Sequence, residues 1–151
     1  MNIPGLGLIA NHNFVVTGAS FPGDPDATVI SFGMNEQGYV GRVDQATRGL
    51  TGQVGAVYGA DTKAWLSLAG STVDNPNLVS FSASAESVLT AAGSVVESTD
   101  YALFASPLGA NSSSGAQAVA NRACGCEVPT PGGWRLTIGA GSWREIQFAP
   151  R

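Results

Sequence analysis

The sequence predicts an all-β protein, a single-domain β-sandwich or barrel of many short strands with at most two short helices. Short apolar stretches recur along all 151 residues. Segments rich in Gly, Pro, Asn, Asp and Ser lie between them, and these residues favour turns. The chain also closes on two alternating stretches around a short Gly-containing loop. This combination is typical of sandwiches and barrels.

The apolar stretches define eleven candidate strands. In chain order they are Asn13–Thr17, Thr28–Phe32, Tyr39–Val43, Gln53–Tyr58, Ala64–Leu68, Leu78–Phe81, Ser94–Glu97, Tyr101–Ala105, Cys124–Val128, Trp134–Ile138 and Trp143–Phe148. Turn segments such as FPGDPD, MNEQG and PTPGG separate them. In the last two, WRLTI and SWREIQF alternate around GAG, which predicts a hairpin. Trp143 shares a face with Glu145 and Gln147 there, so its ring is expected to be exposed.

Two segments have the features of short helices. Residues 84–93, SAESVLTAAG, have a serine before Glu86 and end on a glycine. Residues 113–123, SSGAQAVANRA, offer a serine cap followed by alanines. Neither has a long amphipathic stripe, so each is expected to be a short excursion on a β scaffold.

The low content of charged residues has two explanations, and the net charge argues against a nucleic-acid partner. Charged residues are 12% of the chain, about half of what soluble proteins typically contain. Partners that cover much of the exterior would explain this, and so would an Ala/Gly/Ser-biased source composition. Seven Lys and Arg against eleven Asp and Glu give a net charge of -4, and Lys63 is the only lysine. A nucleic-acid partner is not expected, because phosphate binding requires clustered basic residues.

The first 13 residues are predicted to be an extended arm, followed by a single β domain over residues 14–151. The arm has no basic leader, and Pro4, Gly5 and Gly7 interrupt its apolar run. It is therefore expected to be neither a signal peptide nor a membrane span, and the protein to be made in a host cytoplasm. Its apolar side chains require burial, which predicts an interface with another subunit; they are Ile3, Leu6, Leu8 and Ile9. Trp143 is the remaining predicted interface residue.

The two cysteines, Cys124 and Cys126, are one residue apart in RACGCEV. On an extended strand both would point to one side, where they could share a soft metal but would be awkwardly placed for a mutual disulfide. A zinc site needs four ligands, and His12 is the only histidine. The preferred interpretation is two small buried hydrophobic residues beside Val128, in a reducing compartment.

His12 and the N-terminal glycines offer two further chemical readings. A Ser-His-Asp triad could use His12, yet no G-x-S-x-G elbow is present, so a polar turn is preferred. A dinucleotide fingerprint is matched by Gly5, Gly7 and Ala10. Only four residues precede Gly5, so there is no room for the strand that must come before the fingerprint. An extended arm explains these glycines better.

Carboxylates and aromatic residues each have a binding explanation and a structural explanation. Asp24 and Asp26 in DPD could contribute oxygens to Ca²⁺, but an EF-hand spacing is missing, and turn formation explains them better. Trp and Tyr rings could stack on sugars, whereas core packing is the default for large side chains; these are Trp65, Trp134, Trp143, Tyr39, Tyr58 and Tyr101. The sequence predicts no catalytic, cofactor-binding or metal-binding residue.

The chain as a whole resembles the small β-rich structural proteins of tailed bacteriophages. The resemblance lies in the interrupted arm IPGLGLIANHN, strands such as VSFSASAESVLTAAGSVVES, the single lysine and the closing hairpin. Capsid decoration (cement) proteins are the most similar in pattern, and tail-tube proteins come second. The resemblance implies a virion protein that self-associates, commonly as a homotrimer, and clamps viral coat protein without catalysis or cofactor.

Two other functions stay open. One is a carbohydrate-binding or adhesive β-sandwich module, which requires an exposed Trp or Tyr in a groove near Asp, Asn or Gln. The other is a hydrolase, which requires a cleft with two facing carboxylates.

Overall fold

The computed structural model describes residues 13–42, 61–72, 74–75, 77–102, 110–130 and 140–150. Six short strands form three separate two-stranded antiparallel sheets, β1 with β2, β3 with β4, and β5 with β6. The strands are β1 (Val15–Thr17), β2 (Thr28–Ile30), β3 (Phe32–Met34), β4 (Val40–Arg42), β5 (Val95–Val96) and β6 (Gln147–Phe148). The helices are α1 (61–66), α2 (Ala85–Gly93), α3 (Ser112–Cys124) and a 3-10 helix (Ala140–Glu145).

The prediction of an all-β sandwich or barrel is wrong. Among the described residues helix outweighs strand, three α-helices are present rather than at most two, and no sheet closes into a barrel or sandwich. The predicted strand Ala64–Leu68 begins inside α1, and Cys124–Val128 begins on the last residue of α3. Leu78–Phe81 is not a strand. Apolar runs of four to eight residues do not distinguish a strand from a piece of helix, which is why these assignments failed.

The prediction of a closing hairpin is also wrong for the one of its two strands that the structure describes. Half of the stretch predicted as Trp143–Phe148 belongs to the 3-10 helix, and only Gln147–Phe148 is extended. The partner of β6 is β5, with Val95 opposite Phe148. Predicted strands Gln53–Tyr58 and Trp134–Ile138 lie outside the described residues, as does part of Tyr101–Ala105.

Several local predictions are confirmed. Strands β1, β2, β4 and β5 all lie within predicted strands. Helix α2 begins after Ser84, whose side chain accepts a hydrogen bond from the Ser87 backbone N–H at 3.0 Å. The turn MNEQG joins β3 to β4, where the Asn35 side chain accepts from the backbone N–H groups of Gln37 and Tyr39. Local side-chain to backbone bonds of this kind are readable from sequence.

Helix α3 is the centre of the described core rather than an excursion from it. Every residue from 112 to 121 is buried. It packs against α2, β1, β3, β4 and the 3-10 helix. Its small residues permit close approach: a Cβ at Gly115 would lie 2.6 Å from Cγ of Phe32, itself fully buried. The larger side chains of the surrounding core are Val15, Ile30, Phe32, Val40, Val88, Val119 and Ile146.

Both ends of α3 are capped. At the N-terminus, the Asn111 side chain accepts from the backbone N–H groups of Ser113 and Ser114, and the Ser114 hydroxyl accepts from the Asn111 N–H. At the C-terminus, Gly125 adopts a left-handed conformation with φ of 68° and donates its N–H to the Asn121 carbonyl. These bonds satisfy helix-end groups that would otherwise be unpaired inside the core. The cap is Asn111 rather than the predicted serine.

Candidate functional site

An open groove of about 690 Å³ lies on the described surface. It runs between β1, the stretch 64–68, the segment 77–81 and helix α3. Its size is within the range of small-molecule sites. Asn13 is one of its lining residues, and its apolar lining includes Phe14, Val16, Phe21, Leu68, Leu78 and Phe81.

A hydrogen-bonded amide cluster supports one wall of the groove. Gln117 of α3 lines the groove and donates through Nε2 to the Val128 carbonyl at 2.6 Å and to Asn121 Oδ1 at 3.0 Å. Asn121 Oδ1 also accepts from the Val128 N–H at 2.7 Å. Because two donors converge on that oxygen, the amide orientation of Asn121 is defined. The cluster holds Val128 and Pro129, both lining residues, against α3.

A turn that presents Phe21 also lines the groove. The Phe21 ring is 54% exposed. The turn is closed by a bond from the Asp24 N–H to the Phe21 carbonyl at 3.1 Å. The indole N–H of Trp65 donates to the Asp24 carbonyl at 2.8 Å, which fixes the turn to helix α1. The exposed ring is therefore held on a supported backbone.

The carboxylate of Asp24 stabilises the same turn. It accepts from the backbone N–H groups of Ser20 and Asp26, both at 2.9 Å. The bond from Ser20, and then that from Asp26, lower the pKa of Asp24 below its ordinary value of 3.8, while desolvation opposes them. This confirms the prediction that DPD forms a turn.

A second noteworthy contact joins the start of β1 to the serines of α3. The backbone N–H of Asn13 donates to the Ser113 hydroxyl at 3.3 Å, across a sequence separation of 100. Ser113 is 1% exposed, and Ser112 and Ser114 are buried beside it. This bond ties the segment that leads into β1 to the buried first turn of α3. The only histidine, His12, lies outside the described residues.

Of the predicted interface residues, the structure describes only Trp143. Ile3, Leu6, Leu8 and Ile9 lie outside the described residues, as do Gly5, Gly7 and Ala10. Trp143 is half-buried and packs against the hydrophobic core from the 3-10 helix, with the Arg144 guanidinium 4.4 Å from its ring centroid. The expectation of an exposed ring is wrong because this stretch does not alternate as a strand.

The interpretation of the cysteines as small buried hydrophobic residues on a strand is also wrong. Cys124 ends α3, Cys126 follows its C-cap, and the two form a disulfide with a Cα–Cα distance of 5.1 Å. Cys124 is half-buried and Cys126 is exposed. The left-handed Gly125 turns the chain between them, a geometry that an extended strand does not provide.

Among the described residues, the aromatic side chains do not form the platform that sugar binding would require. Trp65 is 5% exposed and its N–H is already bonded to Asp24, while Tyr39 and Tyr101 are half-buried. Tyr58 and Trp134 lie outside the described residues. Core packing, the default expectation, describes Trp65 correctly.

In the described ranges, no group of three or more His, Cys, Asp or Glu side chains is placed to hold a metal ion. None of the helices in these ranges is long and apolar enough to cross a membrane.

Sequence reasoning missed the residues that form the groove, above all Phe21, Gln117 and Asn121. An apolar ring at the start of the turn segment FPGDPD was a signal for Phe21, whereas the amide cluster depends on a contact between α3 and residue 128 that no local pattern reveals. Comparisons with protein families, with curated proteins and with solved structures found no match to this chain.

Proposed function

We propose that this protein is a non-catalytic virion component of the capsid decoration type, which assembles by placing an apolar chain segment of one subunit in the groove of the next. The groove carries this proposal. It is open, lined by several apolar side chains, and includes an exposed phenylalanine on a supported turn. Such a surface favours an apolar peptide segment, because burial of apolar area is the main driving force of association.

The N-terminal arm has the chemistry of such a segment. It contains four aliphatic residues, while Pro4, Gly5 and Gly7 oppose a helix. It also precedes Asn13 in the chain, and Asn13 lines the groove. Full burial of the four side chains would contribute on the order of 6 kcal/mol before the cost of ordering the arm. The arm of a neighbouring copy therefore suits the groove, in line with a homotrimer that also contacts coat protein.

The low charge of the chain supports the same function. The large apolar side chain of Phe21 is exposed at the groove. Together with a charged fraction of 12%, it favours contact with another subunit over a solvated monomer.

The experiment is a pair of charge substitutions in the full chain. Phe21→Asp introduces a carboxylate into the groove edge and is expected to lower the native mass, measured by size-exclusion chromatography with light scattering. Leu89→Asp is the matched control, because Leu89 is 41% exposed and lies outside the groove lining. Both variants should fold, since both side chains are exposed. A monomeric unmodified protein would overturn the proposal, and so would an equal effect of the two substitutions.

Deletion of residues 1–12 tests whether the N-terminal arm is the segment that occupies the groove. Asn13 is kept because its N–H donates to Ser113. The shortened protein is expected to remain folded by circular dichroism, to lose its assembly, and to bind a synthetic peptide of residues 1–12. If the arm belongs to its own domain instead, the deletion will unfold the monomer.

A further inference from the structure

We propose that the Cys124–Cys126 disulfide is a redox-active pair that exchanges with external dithiols while the protein remains folded. This activity is separate from assembly through the groove. It rests on three features of the described structure: where the disulfide lies, what it connects, and which of its two ends faces solvent.

The disulfide does not join separate parts of the fold. Its cysteines are two positions apart and flank the C-cap of a single helix. Constraint of the unfolded chain by a disulfide grows with the length of the closed loop, so this small loop contributes little by that route. A structural staple would be expected to connect distant segments, and this one connects none.

The surrounding structure is held together without the disulfide. The backbone N–H groups of Gly125 and Cys126 donate to the Asn121 carbonyl at 2.9 and 3.3 Å. The chain beyond Cys126 is fixed by the bonds that join Val128 to Asn121 and Gln117. None of these bonds involves sulfur. Reduction is therefore expected to leave the helix cap and the groove wall in place.

The exposure of the two cysteines defines the order of exchange. Cys126 is exposed and Cys124 is half-buried, so an incoming thiolate reaches the Cys126 sulfur first. A bond forms between the external sulfur and Cys126 Sγ, and the disulfide breaks. Cys124 leaves as a thiolate and takes a proton from solvent.

The second thiol of the reagent completes the reaction. It attacks the external sulfur of the mixed disulfide and releases Cys126 as a thiolate, which is also protonated. Two electrons pass from the dithiol, which becomes a disulfide, to the cysteine pair. Gly125 suits such a pair, because its left-handed conformation is compatible with both the closed and the opened ring.

The experiment uses the full-length native protein. It is incubated with dithiothreitol in the absence of denaturant, and free thiols are quantified over time by iodoacetamide labelling and mass spectrometry. Both thiols are expected to appear with an unchanged far-ultraviolet circular dichroism spectrum, and addition of oxidised dithiothreitol should restore the disulfide. Thiols that appear only in denaturant, or loss of the spectrum on reduction, would overturn the proposal.

Two single-cysteine variants test the order of attack. Cys124→Ser leaves Cys126 free and should form a mixed disulfide with oxidised glutathione about tenfold faster than Cys126→Ser, which leaves the half-buried Cys124. Equal rates, or a faster reaction of Cys124, would contradict the assignment of Cys126 as the attacked sulfur. Because the first experiment needs no substitution, a folding defect in either variant leaves the proposal testable.

Discussion

Helix α3 and strand β3 approach each other most closely at Gly115 and Phe32. A Cβ at position 115 would lie 2.6 Å from Cγ of Phe32 and 2.9 Å from its Cβ, well inside contact distance. The ring is fully buried and cannot swing into solvent. A glycine is therefore needed at this crossing for reasons of space rather than backbone conformation.

Gly115→Ala is predicted to destabilise the protein by about 1–3 kcal/mol, because the added methyl group overpacks the core against Phe32. Urea denaturation measures the change. Gly93→Ala is the matched control, since Gly93 also lies in a helix but a Cβ there has nothing within 4 Å. Its higher helix propensity should leave stability equal or higher by about 0.5 kcal/mol. Similar losses in the two variants would contradict the packing argument.

Asp24 links pH to the turn that presents Phe21. Its pKa in the folded protein is lowered below 3.8 by hydrogen bonds from the Ser20 and Asp26 N–H groups. A lowered folded pKa means that the carboxylate contributes stability above the unfolded pKa, and that this stability is lost as pH falls through the folded value.

Asp24→Asn is accordingly predicted to be less stable than the unmodified protein at about pH 7, because an amide offers one acceptor where the carboxylate offers two. The difference should shrink as pH falls below 3.8. Thermal melting over a pH series measures it, with Asp26→Asn as the control for removal of a neighbouring exposed charge. A difference that does not depend on pH would contradict the role of the charge.

At the scale of elements, the two capped helices have similar chemistry and different surroundings. Asn111 caps the buried helix α3 with a reciprocal bond to Ser114, whereas Ser84 caps α2, whose first turn is exposed. A frayed end of α3 would leave unpaired backbone groups inside the core, and a frayed end of α2 would meet water.

Asn111→Ala is therefore predicted to cost about 1–2 kcal/mol of unfolding free energy, at the upper part of the range for N-cap removal. Ser84→Ala should cost less, about 0.5 kcal/mol, because water replaces the lost bond. Chemical denaturation of both variants tests the contrast. An equal or larger loss of unfolding free energy in Ser84→Ala would indicate that burial of α3 does not raise the cost of removing its N-cap.

At the scale of the whole molecule, the described core is organised around a helix, and its sheets have only two strands each. Isolated two-stranded sheets are marginally stable in water. Helix α3 contacts strands from two of the three sheets, α2 and the 3-10 helix, so its opening requires most of these contacts to break.

Native-state hydrogen exchange should reflect this organisation. The amides of Ala118, Val119 and Ala120 are predicted to exchange only through global unfolding, while those of β5 and β6 exchange through local opening. Comparison of exchange rates over a denaturant series separates the two classes, because only globally exchanging amides show the full denaturant dependence. Slower exchange in β5 and β6 than in α3 would contradict a helix-centred core.

Local features of the fold were predictable to the extent that they depend on neighbours in sequence. The N-cap of α2 at Ser84 and the turn at Asn35 were predicted because their bonds span only two to four residues. The position of α3 was predicted, but its importance was not. Residues 112–121 are all buried, polar ones such as Gln117 and Asn121 included, so the contrast between an apolar face and an exposed polar face that marks most helices is absent. Its serines and alanines indicate a surface excursion for the same reason.

The groove and the disulfide could not be predicted in this way. The groove combines β1, residues 77–81 and α3, which only the fold brings together. The disulfide was rejected because an extended backbone was assumed between Cys124 and Cys126. Once α3 extends to Cys124, its left-handed C-cap at Gly125 brings the two sulfurs together.

The sequence by itself determined the low charge, the turns, two of the helices and four of the strands, because propensity, capping and charge are properties of short stretches. Tertiary structure alone decided that these pieces form a mixed α/β fold around α3 rather than a sandwich. Small residues such as Gly115 and Ala118 are compatible with a strand, a loop or a helix. It is their close packing against Phe32 and its neighbours that makes the helix the centre of the core.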